Sequence, residues 1–297
     1  MLKKRNLTEE EKLLKFETIK SLWEEGLSNA EIARRLDLTP ANICIWLDKI
    51  VGKNRDRKNV PIKRKYTLNQ NYFEKIDSED KAYFLGLLYS DGCMSTRNYS
   101  IQIAIQEQDK NILEKFSSYL ETNKPLKILK KSLIKGFKNL KKVYYRKHQC
   151  LMVISSKKLY NDLSNLGLTS NKSLSITFPT HINQAILHHF IRGIFDGDGG
   201  IYLGIKNRCS VSIAGNPIFL KSIQKILEQN NIKMSLEKHY ISDVYYCRMS
   251  GRLNCIDFYN YLYKDSTIYL QRKYDKFQEC INLTKSIRNG NTWKKER

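Results

Sequence analysis

The sequence predicts an α+β protein: a duplicated unit that mixes helices and strands, preceded by a small all-α segment. Two stretches carry the duplication, Ala82-Tyr-Phe-Leu-Gly86-Leu-Leu-Tyr-Ser90-Asp91-Gly92 and His189-Phe-Ile-Arg-Gly193-Ile-Phe-Asp-Gly197-Asp198-Gly199, and their Asp-Gly pairs lie 107 residues apart. Each stretch is followed by the same succession of strand and helix patterns, which marks an internal repeat of about 100 residues. Residues 8–51, by contrast, show only helical periodicity. The expected boundaries are 1–51 for the helical domain, 52–75 for a linker, 76–180 and 181–288 for the two repeats, and 289–297 for a basic tail.

In the helical domain, Phe16, Ile19, Leu22 and Trp23 follow a helical period, and Gly26 stops that helix. Ser28 caps a second helix with Glu31 three residues on, a capping box, and this helix carries Ile32, Ala33 and Leu36. After the turn Asp37-Leu38-Thr39, Thr39 caps a third helix with Pro40 at its first position and Ile43, Trp46 and Leu47 facing inward. Small Ala33 at the crossing and β-branched Ile43 ten residues later are helix–turn–helix grammar, with Asp37 in place of the usual turn glycine. Asn42, near the start of the third helix, is then a candidate base contact. A plain three-helix bundle is the competing reading. Residues 52–66 hold seven Lys or Arg in fifteen, contain Pro61 and lack periodicity. They read as an extended arm whose Arg55, Arg57, Lys58, Lys63 and Arg64 would lie along phosphates or in a minor groove; a solubilising tether is the alternative.

Within the repeats, strand-like alternation appears at Ile101, Ile103 and Ile105, and again at Val211 and Ile213. Helices follow at 112–119 and 218–227, then basic β-rich segments at 143–154 and 244–249, then helices at 159–166 and 256–263. A basic element closes each repeat, around Lys172 and Lys273. The alternation turns Ile101, Ile103 and Ile105 toward the helices, leaving Ser100, Gln102 and Ala104 on the open face; Arg208, Ser210 and Ser212 take that face in the second repeat. From Thr122 through Asn161 there are twelve Lys or Arg, Arg146 among them, and no acid. A solvated loop seldom avoids acids that long, so this stretch is expected to meet phosphates.

A net charge of +22 and 18 tyrosines in 297 residues suit a polyanionic, stacking partner. No apolar run is long enough to span a bilayer, and no signal peptide is recognisable, so a cytoplasmic, DNA-associated location is expected with no membrane partner. Seven scattered cysteines without a CxxC argue against a disulfide framework or structural zinc. No Gly-x-Ser-x-Gly arrangement supports nucleophilic-triad chemistry, and His188 and His189 read as structural or solvent-facing residues.

The chemistry concentrates in the repeated helices. Gly86 with Ser90, and Gly193 with Gly197, put small residues on one helical face and invite two backbones to pack closely. Each helix then ends in Asp-Gly, the glycine serving as a C-cap. The aspartate faces the negative end of the helix dipole. In parallel packing Asp91 and Asp198 also repel one another, so cations are needed to hold them. Two hard carboxylates in a site poor in His and Cys suit Mg²⁺, with Mn²⁺ or Ca²⁺ as further occupants. Divalent metals between carboxylates and phosphates are the usual machinery of phosphodiester hydrolysis.

At Phe84–Gly92 and Ile191–Gly199, together with Leu166-Gly-Leu-Thr-Ser-Asn-Lys172-Ser173 and Ile268-Tyr-Leu-Gln-Arg-Lys273-Tyr274, the sequence resembles the LAGLIDADG homing endonucleases of the single-chain, two-repeat type. The resemblance implies an αββαββα fold per repeat and a pseudo-twofold saddle of two sheets over a DNA major groove. It implies Asp91 and Asp198, with the adjoining Gly92 and Gly199, as metal-binding residues. Lys172 and Lys273 would be the assisting basic residues of the catalytic set. Glu107 would be a water-orienting residue, with a second-repeat equivalent at Gly215 or Asn216. Tyr89 stands at the sixth motif position where the second repeat keeps Asp196.

The function implied is a site-specific, metal-dependent double-strand DNA endonuclease that leaves short 3′ overhangs. One chain would act as its own pseudo-dimer on a long recognition site in double-stranded DNA. The alternatives are a non-cleaving transcriptional regulator on the same fold and an RNA-splicing maturase.

Overall fold

Side-chain caps define the three helices of the N-terminal unit, α1 (Glu9–Glu24), α2 (Asn29–Arg35) and α3 (Pro40–Ile50). The expected capping box at Ser28 is formed: its hydroxyl accepts from Glu31 N at 3.3 Å and the Glu31 carboxylate accepts from Ser28 N at 3.1 Å. Thr39 accepts from Asn42 N at 3.2 Å, with Pro40 in the first turn. A cap of this kind stabilises a helix by about 1 kcal/mol, which matters for a seven-residue helix such as α2. Asp37 takes the left-handed conformation, φ 51°, that a turn glycine would supply. Ile19, Trp23, Leu27, Ile32, Ala33, Ile43 and Leu47 form a separate small core.

The computed structural model describes residues 8–52, 65–130, 132–134, 144–170, 176–179, 182–204, 208–240 and 244–288. The chain divides into two units, Met1–Thr67 and Leu68–Arg297. The linker expected to run to residue 75 therefore stops earlier. Tyr72 and Phe73 are buried in the core of the larger unit, which retains the chain around them.

In the larger unit the first repeat runs α4 (Glu79–Asp91), β1 (Gly92–Ser95), β2 (Ser100–Gln106), α5 (Lys110–Tyr119), β3 (Lys127–Leu129), then a small hairpin of β4 (Ser132–Ile134) and β5 (Tyr144–Arg146), then β6 (Gln149–Ser155) and α6 (Lys157–Asn165). The second runs α7 (Leu187–Asp198), β7 (Gly199–Gly204), β8 (Arg208–Gly215), α8 (Pro217–Gln229), β9 (Ser235–Lys238), β10 (Tyr245–Ser250) and α9 (Arg252–Tyr263), followed by α10 (Gln271–Arg288). Without the hairpin and α10, each repeat is αββαββα. The sheets have the orders β1-β2-β6-β3 and β7-β8-β10-β9, with antiparallel neighbours throughout.

Alternation decides what each sheet buries. Ile101, Ile103 and Ile105 on β2, with Cys150, Met152 and Ile154 on β6, face inward; Cys209, Val211 and Ile213 do the same on β8. These side chains join those of α4 and α7 in one core that spans both repeats. The other sheet faces are left half-buried or open. Helix α10 was expected only as a basic element. Lys273, Phe277, Cys280 and Thr284 are its buried residues, a spacing of four, three and four that is helical in plain view.

Candidate functional site

Helices α4 and α7 lie side by side and parallel, joined along the two small-residue faces. A Cβ on Gly86 would overlap the Phe190 carbonyl, and one on Gly193 would stand 2.8 Å from Leu87 N and closer still to the Tyr83 carbonyl oxygen. Further along, a Cβ on Gly197 would collide with Ser90 and lie 3.1 Å from Asp91 Oδ2. The backbones can approach this closely only because side chains are absent there. The register brings the ends of the two helices together, with the Asp91 carboxylate against the last turn of α7. Both Asp91 and Asp198 are exposed.

The glycines that follow do a different job from the one expected. Gly92 has φ −76° and Gly199 φ −93°, extended values rather than the left-handed C-cap conformation. Their need is space. A Cβ on Gly92 would lie 2.8 Å from Leu88 Cα, and one on Gly199 would sit 2.8 Å from the Phe195 ring. Each helix therefore passes directly into the first strand of its sheet, which holds the aspartates at the junction of helix pair and sheets.

Lys273 is buried beneath the end of α7. Its Nζ donates to the carbonyl oxygens of Phe195 at 2.5 Å, Asp196 at 2.7 Å and Gly199 at 2.6 Å. An ammonium has three protons, so these bonds use all of them. Burial pulls Lys273 down to about 8, opposed by the negative charges of Asp196, Asp91 and Asp198. Gly199, one of the residues the resemblance assigns to a metal, accepts this ammonium at its carbonyl. Lys273 lies against the helix end and within electrostatic reach of both motif aspartates.

A buried polar network fixes the rest of the second motif helix. Arg192 is fully buried. It donates to Glu79 Oε1 at 2.6 Å, to Ile268 O and Leu262 O at 2.8 Å each, and to His189 Nδ1 at 2.6 Å. Glu79, from the first repeat, also accepts from Thr267 N at 2.7 Å and Thr267 Oγ1 at 2.8 Å. Asp196 Oδ2 accepts from Tyr83 Oη and from Leu270 N, both at 2.8 Å, while its Oδ1 is buried with no hydrogen-bond partner. Burial raises the Asp196 carboxyl, with Lys273 the main opposing influence. His189, pulled down to about 3 by burial and by Arg192, is a neutral acceptor, and buried His188 lies 3.1 Å from the Lys264 carbonyl through Nε2. In the first repeat Tyr89, at the position of Asp196, donates to Leu166 O at 2.5 Å.

The remaining expected residues divide by place. Glu107 is half-buried and pairs with His148 Nδ1 at 3.1 Å. Gly92 pairs with Ile103 and Gly199 with Ile213, so Gln106 is the counterpart of Asn216 and Glu107 that of Pro217. Asn216 is engaged as the cap of α8, accepting from Phe219 N at 2.8 Å. Gln102 and Ala104 lie on the open face of the first sheet, and Arg208, Ser210 and Ser212 on that of the second. Ser100 departs from expectation: the alternation assigns it to the open face, but it is 5% exposed and presents nothing to a duplex. Asn42 is exposed on α3. Lys172 and the arm residues Arg55, Arg57, Lys58, Lys63 and Arg64 lie outside the described residues, as does the side chain of Arg146. Sequence reasoning missed Arg192, Glu79 and Tyr83; only an apolar helix face interrupted by Arg192 signalled them.

Among the described residues, no group of three or more His, Cys, Asp or Glu forms a metal cage, and no helix is long and apolar enough to cross a membrane. No protein-family model and no curated protein matches the sequence. Solved structures do. One is the meganuclease I-SmaMI bound to uncleavable DNA, 10% identical over 71% of this chain and 92% of that one, with a TM-score of 0.46. Another is an I-DmoI variant in complex with its target DNA in the presence of Mg, 18% identical over 66% and 99%, TM-score 0.41. A third is full-length DUF199/WhiA from Thermatoga maritima, 12% identical over 75% and 70%, TM-score 0.44. The activities in those descriptions belong to those proteins.

Proposed function

We propose that this chain is a site-specific, divalent-metal-dependent DNA endonuclease that hydrolyses one phosphodiester on each strand of a duplex and leaves short 3′ overhangs. The observation that carries the reading is the glycine-lined pairing of α4 and α7, which sets the Asp91 carboxylate against the end of the helix that carries Asp198. The same helix ends feed the first strands of two sheets whose outer faces are open. One chain thereby offers two half-sites around a shared pair of acids, as a duplex with two strands to cut requires.

The donor set fits Mg²⁺. This ion takes few protein carboxylates and leaves positions for water and substrate phosphate, so the absence of a larger acidic cage among the described residues is compatible with it. Asp91 and Asp198 would hold the ion, with the Gly92 carbonyl nearby; Mn²⁺ or Ca²⁺ could take the same place. A bound divalent ion supplies Lewis acidity and lowers the pKa of water. The chain's own residues supply position and charge. Lys273 neutralises the end of α7 and moderates repulsion between the acids. The Arg192–Glu79 pair ties the segment that leads to Lys273 to the first repeat. Glu107, at the end of β2 and paired with His148, would orient water or relay a proton. Lys172 would do the corresponding work in the first repeat. Helices α1–α3 would add a helix–turn–helix contact through Asn42, and the basic arm, with Arg146, would follow phosphates.

The test is to select duplexes from a random pool by binding, then add Mg²⁺ or Mn²⁺. Double-strand breaks in the parent, single-strand nicks or strongly reduced cutting in Asp91→Asn and Asp198→Asn, and retained binding in both are expected. Tight, specific binding with intact DNA under every metal condition would refute cleavage and leave a non-cleaving regulator.

A further inference from the structure

We infer that Arg248 and Val153 read the same position of two DNA half-sites with opposite base preference, guanine under Arg248 and thymine under Val153, so that the target is asymmetric there. The inference rests on the proposed DNA-binding role of the two sheets. Strand registers make the comparison. In the first sheet Val153 lies opposite Gln102, which lies opposite Cys93. In the second, Arg248 lies opposite Ser212, which lies opposite Gly200. Both rows sit one residue beyond the pairs Gly92–Ile103 and Gly199–Ile213 that begin at the motif helices. Val153 and Arg248 therefore hold equivalent places, each in an inner strand on the open face.

Their surroundings differ as their chemistry does. Arg248 is nearly half exposed, its guanidinium carbon 4.5 Å from the centre of the Tyr246 ring and its Nη1 3.6 Å from Glu237 Oε2. Stacking and the carboxylate hold the planar fork, and Gly200 and Ser212 beside it leave room for a base edge to approach. A guanidinium presented this way matches the O6 and N7 acceptors of guanine in the major groove. In the first sheet the neighbouring row is Ala104, Leu151 and Lys127, and the strands β1, β2, β3 and β6 contain no arginine. An apolar Val153 flanked by Leu151 and Ala104 complements the thymine methyl, and Gln102 beside it suits adenine. Tyr246 holds the place of Leu151, so the arginine's stacking partner is also confined to the second repeat.

The experiment uses the full chain and a pool of random-sequence duplexes, selected by binding in Ca²⁺ and sequenced, with the parent, Arg248→Gln, Arg248→Lys and Val153→Arg in parallel. The parent is expected to enrich sites with guanine in one half and thymine at the pseudo-symmetric position of the other. Arg248→Gln should exchange that guanine for adenine and leave the other half untouched. Arg248→Lys, which keeps charge but loses the fork, should relax it. Val153→Arg should introduce guanine into the other half. Discrimination at the single position should change roughly ten- to hundredfold. Thermal unfolding within a few degrees of the parent confirms that each variant folds. A uniform loss of affinity in Arg248→Gln, with the base profile unchanged, would make Arg248 a phosphate contact and overturn the inference while leaving the DNA-binding reading intact. No binding by the parent to any duplex at low salt would overturn both.

Discussion

Gly193→Ala should show how much the helix pairing depends on bare backbone. The added Cβ would lie 2.8 Å from Leu87 N and 3.1 Å from Gly86 C, with the Tyr83 carbonyl oxygen nearer still. Carbon contacts relax near 3.5–4 Å, so α4 and α7 must part by about an ångström. No side-chain rotation can supply that distance, because the obstructing atoms are backbone. Overpacking a rigid core costs about 1–3 kcal/mol, sometimes more; the backbone contact places this substitution at or above the top of that range. For a unit of this size the melting temperature should fall by about 6–12 °C. Gly197→Ala provides the internal control. There the obstruction is the Ser90 side chain, so Gly197→Ala with Ser90→Gly should recover much of the loss, with a coupling of about 1–2 kcal/mol. Chemical denaturation and nicking of a selected duplex measure the two consequences. A Gly193→Ala protein within about 0.5 kcal/mol of the parent and equally active would refute the close-packing argument, as would rescue of Gly193→Ala by trimming a side chain.

Further outcomes follow from the buried network. Arg192→Leu leaves Glu79 without its guanidinium partner and should destabilise the larger unit by about 3–5 kcal/mol in urea unfolding; a change under 1 kcal/mol would show that the pair is incidental. Lys273→Met strips three charged hydrogen bonds from the end of α7 and should cost about 3 kcal/mol. It should also slow cutting of one strand more than the other, which separate end-labels on the two strands would reveal. His189 is held neutral in the folded chain down to about pH 3, whereas the unfolded chain protonates it near 6.5. Its contribution is therefore complete above about 6.5 and declines as pH falls toward 3, since only the unfolded chain takes up the proton. His189→Asn, which keeps an acceptor for Arg192, should lose less stability than the parent between pH 7 and pH 4.5. Identical pH slopes for the two proteins would contradict the assignment.

The repeat, the helix N-caps and the strand alternation were readable because each depends on local chemistry. Ser28 and Glu31 cap one helix within four residues, and Ile101, Ile103 and Ile105 show a sheet face by period alone. The small-residue face predicted close helix packing because a missing Cβ is a statement about distance that needs no partner to be named. What was not readable depended on atoms far apart in the chain. Gly92 and Gly199 looked like left-handed caps, but their constraint comes from Leu88 and from the Phe195 ring. Lys273 was visible as a basic residue; that it donates three bonds into the end of a distant helix is a tertiary fact. Ser100 follows its strand period and is nevertheless covered, because period assigns a side and not its exposure.

Tyr89 and Asp196 hold equivalent places with different charge, and the buried carboxylate of Asp196 is what calls for buried cations in the second repeat. Both side chains fasten the segment after the last helix of their αββαββα unit to the motif helix: Tyr89 donates to Leu166 O, and Asp196 accepts from Leu270 N. A phenol does this as a neutral group, with Gly167 leaving room for its hydroxyl. A carboxylate does it only by being buried, and burial raises its pKa and disfavours its charge. The second repeat offsets that cost with Lys273 and Arg192, both within electrostatic reach of Asp196. The compensation has a consequence at the surface. The ammonium that accommodates Asp196 is also within electrostatic reach of Asp91 and Asp198, so a fixed protein charge offsets part of the repulsion expected between the two motif acids.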